Sequence, residues 1–306
     1  VIGEFTLMPE KRGTAFSGIT DGHTEKSVRI IEDGDIRTIV EAVFEYESST
    51  MCRRYYLSKN SAELKITDKV YWNEKMKMLK LSVPTTINGD FIGQTAYGSE
   101  NLLNNGDEMV SDKWNIVKDD IKAITVINSG THGSDYLGNE LRRTLLRAPG
   151  YSAGKSDFSV RKPYIMEQDR FSSFIDQGEH DFTFVFSAGE PNERLSHIER
   201  EACAFAEEPM ALSFFPTGCE EEKENSIKPF AELSDDVIVL SAFKKAERGV
   251  GFILRLFNPT NKERTTTLTM PALKIKEEFL LGPYEIATYR INPRNKDVTK
   301  TTLIEK

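Results

Sequence analysis

The chain has 306 residues and a formal net charge of −8, with 40 Lys and Arg against 48 Asp and Glu. That balance excludes the basic face a nucleic-acid binder needs, and no apolar stretch reaches the length of a membrane-spanning helix. Hydrophobic residues at 39% and charged residues at 29% are the composition of a folded chain, and the length predicts about two domains. Cys52, Cys203 and Cys219 are odd in number and widely spaced, so they make neither a disulfide framework nor a CxxC metal motif. Reduced thiols and a cytoplasmic location are the expectation. The chain opens at Val1 without Met or a signal-peptide pattern, which predicts a processed start or a piece of a longer polypeptide.

In chain order, the first strong pattern is period-two alternation from Ile36 to Tyr46. It puts Thr38, Val40, Ala42, Phe44 and Tyr46 on one face with Ile36, and Arg37, Glu41 and Glu45 on the other. A half-buried strand reads this way, because successive side chains point to opposite faces. Leu64, Ile66, Val70 and Trp72 alternate likewise, with Asp68 the polar intruder on their face; Leu79, Leu81 and Val83 follow. Phe182, Phe184 and Phe186 form the cleanest such row. Between Pro191 and Pro209, Leu195, Ile198, Ala202 and Phe205 recur at helical spacing, which predicts one short helix. The run from Gly251 to Asn258 is apolar on both faces, as a central strand would be. Asn88-Gly89-Asp90 and Asn258-Pro259-Thr260-Asn261 carry turn chemistry. Pro149 to Glu179 is a long polar segment of weak periodicity, and Glu220 to Glu224 is most simply a solvated loop. The whole reads as all-β and of sandwich type, with one helix near a domain junction. The boundaries are 1–207 for a large sandwich and 208–306 for a smaller one.

Chemistry is sparse. None of His23, His132, His180 and His197 pairs with another at metal-ligand spacing, and there is no nucleophile elbow, phosphate loop or dinucleotide fingerprint. The densest constellation is Asp176-Gln177-Gly178-Glu179-His180-Asp181, ahead of the Phe182 strand. Its carboxylates and histidine suit acid–base work on a sugar, yet neighbours on a strand alternate faces and cannot all converge. Hydrogen bonding that orders the adjacent loop is the plainer role. Arg143, Leu145 and Arg147 would share one strand face, and Arg147 ends the strand where the long segment begins. A guanidinium there suits forked bonds to sugar hydroxyls or to a carboxylate, or a loop-anchoring ion pair. Tyr97 suits stacking on a sugar, or an edge position in the core.

These residues carry a resemblance. Val70-Tyr71-Trp72-Asn73-Glu74-Lys75-Met76-Lys77-Met78-Leu79-Lys80-Leu81-Ser82 resembles the W-x-E-K-x-K-x-L-K-L strand pair in the β-rich C-terminal half of bacterial family 38 glycoside hydrolases. Those enzymes are α-mannosidases and mannosylglycerate-type hydrolases. Thr144-Leu145-Leu146-Arg147-Ala148-Pro149 resembles their T-L-L-R-[SA]-P segment, and Ile175 to Phe182 their D-x-G-x-H-x-F entry. Tyr97-Gly98 followed by Trp114 resembles a further element in the same order.

The resemblance implies a galactose-mutarotase-like supersandwich followed by a smaller sandwich. It implies a retaining glycosidase whose aspartate nucleophile and zinc-type divalent ion belong to an N-terminal α/β domain. No H-x-D metal pair is present in this chain, so no catalytic residue, metal ligand or cofactor is expected in it. The expected partners are that N-terminal catalytic domain and a mannoside substrate, with Arg147, Tyr97, Asp176 and His180 as candidate substrate-binding residues. Ile2, Phe5, Leu7 and Met8 are expected to expose apolar surface toward the rest of the enzyme. Two alternatives stay open. One is a mutarotase- or lyase-like sugar enzyme using His180 or His132. The other is a carbohydrate-binding module stacking a sugar on Tyr97 or Tyr151.

Overall fold

The computed structural model describes residues 5–7, 11–12, 24–150, 174–207, 210–212 and 229–305. Backbone proximity divides the chain into two units, 1–93 with 101–191 and 94–100 with 192–306. The fold is all-β, with one α-helix among the described residues, α1 (Pro191–Ala206). That helix is too short and too polar to cross a membrane.

In the first unit, β1 (Thr6–Leu7) and β4 (Val28–Asp33) both pair with β5 (Arg37–Tyr46). β2 (Lys11–Arg12) and β3 (Thr24–Glu25) form a ribbon of their own. From β5 the sheet continues through β6 (Ser49–Ser58), β7 (Leu64–Trp72), β16 (Gly178–Gly189), β13 (Ala123–Asn128) and β12 (Trp114–Lys118) to β9 (Asp90–Thr95); β10 (Gly98–Asn101), next in the chain, is counted mostly with the second unit. A second sheet runs β11 (Met109–Val110), β14 (Gly133–Leu137), β15 (Glu140–Arg147), β8 (Met78–Pro84). Alternate residues of both sheets meet in one core: Val70, Trp72 and Phe184 from the large sheet, Leu81, Tyr136 and Leu141 from the small one. Burial of these rows is the dominant stabilising term, at about 25 cal/mol per Å² of apolar area. Tyr136 keeps its hydroxyl satisfied by donating to the Ile87 carbonyl at 2.5 Å. Phe182 and Phe186 flank Phe184 as the alternation predicts. Phe5 also packs on this core, its ring 5.7 Å from that of Tyr46, whereas Leu7 is exposed. Ile2 and Met8 lie outside the described residues.

The second unit has its own core, built from β17 (Glu232–Leu233), β20 (Arg264–Met270) and β21 (Ile275–Leu281) in one sheet, and β18 (Val239–Lys245), β19 (Phe252–Phe257), β22 (Ile286–Ile291) and β23 (Val298–Thr301) in another. β19 is internal to its sheet and buries Ile253, Leu254, Leu256 and Phe257, which accounts for its apolar residues on both faces. The turn after it is organised by Asn258, which is fully buried. Its amide donates to the Lys262 carbonyl at 2.7 Å and the Gly282 carbonyl at 2.8 Å, and its oxygen accepts from Thr260. On α1, Ile198 and Ala202 are fully buried, as the helical spacing predicts.

Two polar positions refine the strand reading. Asp68, the intruder on β7, accepts from Nε and Nη2 of Arg53, its cross-strand partner, at 2.6 and 2.7 Å. The pair keeps the apolar row intact by neutralising its one charge. Glu41 departs from expectation: it does not face solvent but is 1% exposed. β4 and β6 flank it with Arg29 and Arg54, whose guanidinium nitrogens reach it at 2.7 to 3.0 Å. Periodicity marks a polar residue as outward, but a strand between two arginine-bearing neighbours can bury a carboxylate. Gly89, in the predicted turn, is required by close approach, since a Cβ there would stand 2.1 Å from the Lys118 carbonyl oxygen.

Burial raises the Glu41 carboxyl, but the bonds from Arg54 and Arg29 outweigh it and hold the group below the ordinary carboxylate range. Glu41→Ala should therefore cost about 3–5 kcal/mol in urea unfolding, since it strands two arginines. The stability advantage of wild type over Glu41→Gln should hold from neutral pH down to about 4.3, then shrink as the pH falls through the lower folded-state value.

Candidate functional site

The motifs that stand apart in sequence meet at one end of the first unit. β7 and β8 are consecutive strands in different sheets, so residues 73–77 must cross from one sheet to the other. β15 ends beside the start of β8, with Arg147 opposite Met78, and β16 begins beside the end of β7, with Gly178 opposite Trp72. The crossing loop is sewn to the end of β15: the Met76 amide donates to the Ala148 carbonyl at 2.7 Å, and the Ala148 amide to the Lys77 carbonyl at 2.9 Å. A bridge between Gly150 and Phe174 joins the two chain ends that flank residues 151–173.

Arg147 does not share a face with Arg143, as strict alternation would have it. The register of β15 against β8 shifts between Thr144 and Leu146. Leu145 and Leu146 are therefore both buried, and the parity of the strand reverses at this bulge. Arg143 points inward and is fully buried. Its guanidinium donates to the Thr131 hydroxyl and the Asp112 carbonyl, each at 2.8 Å, and to Ser111, Asn115 and the Thr131 carbonyl. Burial draws its pKa down to about 9, and the neighbouring Asp112 charge opposes this. Arg147 points outward, and among the described residues nothing accepts from its guanidinium.

Asp176 and His180 stand close to Arg147. The Asp176 carboxylate accepts from the Arg147 amide at 3.4 Å, and His180 Nε2 lies 3.1 Å from the Asp176 carbonyl. The His180 ring stacks on Phe182 with the planes 16° apart. Gln177 donates through Nε2 to the Glu74 carbonyl at 2.7 Å. Three non-glycine residues around this end, Glu47, Met76 and Asp176, have φ near +50°. Such left-handed backbone costs an ordinary residue on the order of 1–3 kcal/mol and persists where surrounding bonds hold it. Tyr97 lies in the second unit, in the turn between β9 and β10, with its ring edge-on to Phe257 at 5.4 Å. Gln94, just ahead of that turn, donates to the buried carboxylate of Glu199 at 2.7 Å. His132 is exposed, 3.6 Å from Asp112; Tyr151, His23 and Cys219 lie outside the described residues.

Glu74 is the residue the sequence reading passes over. It is 5% exposed and accepts from the Ser48 amide at 3.0 Å, the Ser49 hydroxyl at 2.9 Å and Lys77 Nζ at 3.2 Å. Lys77 also reaches Glu47 at 2.6 Å and lies 4.7 Å from the centre of the Tyr46 ring. Burial raises the Glu74 carboxyl, while Ser49, Ser48 and Lys77 together hold it below the ordinary range. Glu74 thus anchors the crossing loop that carries the contacts to Ala148 and Gln177. Its signal in the sequence is the W-N-E-K segment, read there only as part of a strand pair. Among the described residues, no group of three or more His, Cys, Asp and Glu side chains is placed to hold a metal ion.

Glu74→Ala should cost about 2–3 kcal/mol in denaturant unfolding, because the Ser48 amide and Ser49 hydroxyl lose their acceptor. Gln177→Ala should cost about 1 kcal/mol. The double variant should fall short of the sum, since both act on the same loop.

Comparison with known proteins bears on this arrangement. A family model described as "Glycosyl hydrolases family 38 C-terminal domain" matches residues 11–155. A second, "Glycosyl hydrolases family 38 C-terminal beta sandwich domain", matches residues 237–289. Alpha-mannosidase G of Dictyostelium discoideum is 21% identical over 309 residues, spanning 87% of this chain. The chain spans only about a quarter of the length of that relative, 26%. A protein in the glycosyl hydrolase family 38 from Enterococcus faecalis has a similar structure, with a TM-score of 0.69 at 17% identity, over 88% of this chain and 37% of that one. An alpha-mannosidase from Enterococcus faecalis V583 overlays with a TM-score of 0.67 at 16% identity, over 89% and 35%. At these identities the structural likeness speaks to the fold alone. Taken together, the two domain matches and the relatives support a glycosyl hydrolase family 38 C-terminal region.

Proposed function

We propose that this chain is the non-catalytic C-terminal β region of a retaining α-mannosidase-like glycoside hydrolase of bacterial type. It buttresses an N-terminal catalytic domain of the same polypeptide and lends residues to the substrate cleft. The observation that carries this reading is the pair of C-terminal domain matches in order along one chain that spans 26% of an alpha-mannosidase. In this proposal the zinc-type ion and the aspartate nucleophile belong to the N-terminal domain, and the mannoside meets this chain at the Arg147 end. The cytoplasm is the proposed compartment, on the odd number of cysteines and the buried Cys52 thiol.

Arg147 is the residue proposed to contact substrate. Its backbone is held by Asp176 and by the crossing loop, while its guanidinium is left outward at a strand end. A fork on a rigid support suits vicinal hydroxyls or a carboxylate that orients them. Asp176 and His180 form the floor from which it projects, and Tyr97 is retained as a candidate from the second unit.

Two measurements test the reading. The 306-residue chain should fold yet show no turnover of an aryl α-mannoside with or without zinc, because the carboxylates that must flank the scissile bond are supplied elsewhere. Metal-dependent turnover by the pure chain would overturn it. In the longer enzyme, Arg147→Ala should lower kcat/KM about tenfold to a hundredfold, or about 1.4–2.8 kcal/mol, with the melting temperature unchanged. Arg147→Lys should recover little, since it keeps the charge but not the fork. A drop in melting temperature with intact kinetics would make Arg147 a loop anchor instead.

A further inference from the structure

The large sheet of the first unit has two faces, and only one meets the core through Met51, Val70, Trp72 and Phe184. The other face carries an open groove of about 700 Å³ across β6, β7 and β16. The strand register makes its lining a grid. Thr50, Tyr71 and Glu179 stand side by side in one row, and Cys52, Lys69 and Asp181 in the next. Thr67, with Arg54 and Thr183 on either side of it, completes the third. Strand spacing near 4.8 Å and a repeat near 6.8 Å along each strand give a footprint of about 10 by 14 Å. Threonines and Cys52 line the β6 side and the last row, and Lys69 stands at the centre of the grid.

The chemistry of the lining selects a ligand class. Both cations are partnered: Lys69 lies 3.2 Å from Glu179, and Arg54 donates to the buried Glu41 at 2.8 Å. Asp181 stands directly opposite Lys69 in register, yet among the described residues nothing donates to its carboxylate. The hydroxyls of Thr50, Thr67 and Thr183 are likewise unused among the described residues. An unneutralised carboxylate repels phosphates and nucleic acid. The idle donors and acceptors disfavour an apolar ligand, which would leave them desolvated and unpaired. A polyol gives and accepts hydrogen bonds at every hydroxyl and satisfies both kinds of group. Tyr71, 45% exposed, offers an aromatic surface for the apolar face of a ring.

We propose that this groove binds a neutral oligosaccharide, with Tyr71 as the stacking platform and Asp181 accepting from ring hydroxyls. The site is separate from Arg147 and does not depend on the role given to that residue. A region that buttresses a catalytic domain would thereby also hold glycan on a second surface.

The test is titration of the 306-residue chain with mannotriose and with maltotriose, followed by calorimetry and by amide chemical shifts. Saturable binding of at least one is expected, weakened about tenfold or more by Tyr71→Ala and by Asp181→Asn. Both positions are exposed, so unfolding curves should match wild type and separate lost binding from lost fold. Absence of saturable binding to either sugar would overturn the proposal. So would binding that both groove variants retain.

Discussion

One extra residue in a strand decides what the two arginines of β15 do. Side chains on a strand alternate, and a bulge is the one local device that breaks the alternation without breaking the sheet. With the register of β15 shifted between Thr144 and Leu146, Arg143 is committed to the interior and Arg147 to the exterior. Without the shift both would point inward. Five neutral acceptors, gathered from Ser111, Asp112, Asn115 and Thr131, serve this one guanidinium. Exposure of Arg147 is therefore a result of packing, enforced by the burial of Leu145 and Leu146 on consecutive positions.

The same unit handles its other internal charges by a related rule. Asp68 meets one arginine across a single ladder, and Glu41 meets two from the strands on either side. Each buried carboxylate has forked donors in register, so geometry offsets part of the cost of leaving water. Glu74 is a different case. It collects an amide, a hydroxyl and an ammonium from a turn and from its own loop. It fixes a crossing between sheets where no ladder can; left-handed Met76 lies in that crossing, and left-handed Glu47 in the β5–β6 turn that supplies Ser48 and Ser49.

Much of the fold is legible in the sequence because burial follows period two. The rows of β7 and β16, the two-faced burial of β19 and the buried stripe of α1 all follow from spacing alone. Glu41 is misread because periodicity sees a charge and not the arginines two strands supply from elsewhere. The parity of Arg147 is misread because a bulge leaves no trace in a run of leucines. The Asp176 to His180 segment is recognisable as a constellation, and its role in ordering the neighbouring backbone is legible from its residue types. Its connection to Glu74 is not, since Gln177 reaches it across a distance in sequence that only the paired strands close. The groove on the outer face of β6, β7 and β16 is not legible either: Glu179 and Asp181 stand out in sequence, but the residues of β6 and β7 that join them there are set by the register between strands.

The outer edge of the large sheet shows the cost of beginning a sheet this way. β1 and β4 share one side of β5, and β4 carries Val28, Ile30 and Ile31 in exposed positions. A flat apolar edge is a template for another chain. Here the ladder to β5 is irregular between Ile30 and Glu32, and Glu32 and Asp33 close the strand with charge. The irregularity places Ile30 and Ile31 at neighbouring exposed positions and interrupts the regular ladder that a second molecule would have to extend. The safeguard at this edge is thus a defect of pairing as much as the charge of its side chains, and a straight ladder in its place would offer the template that sheet edges have to avoid.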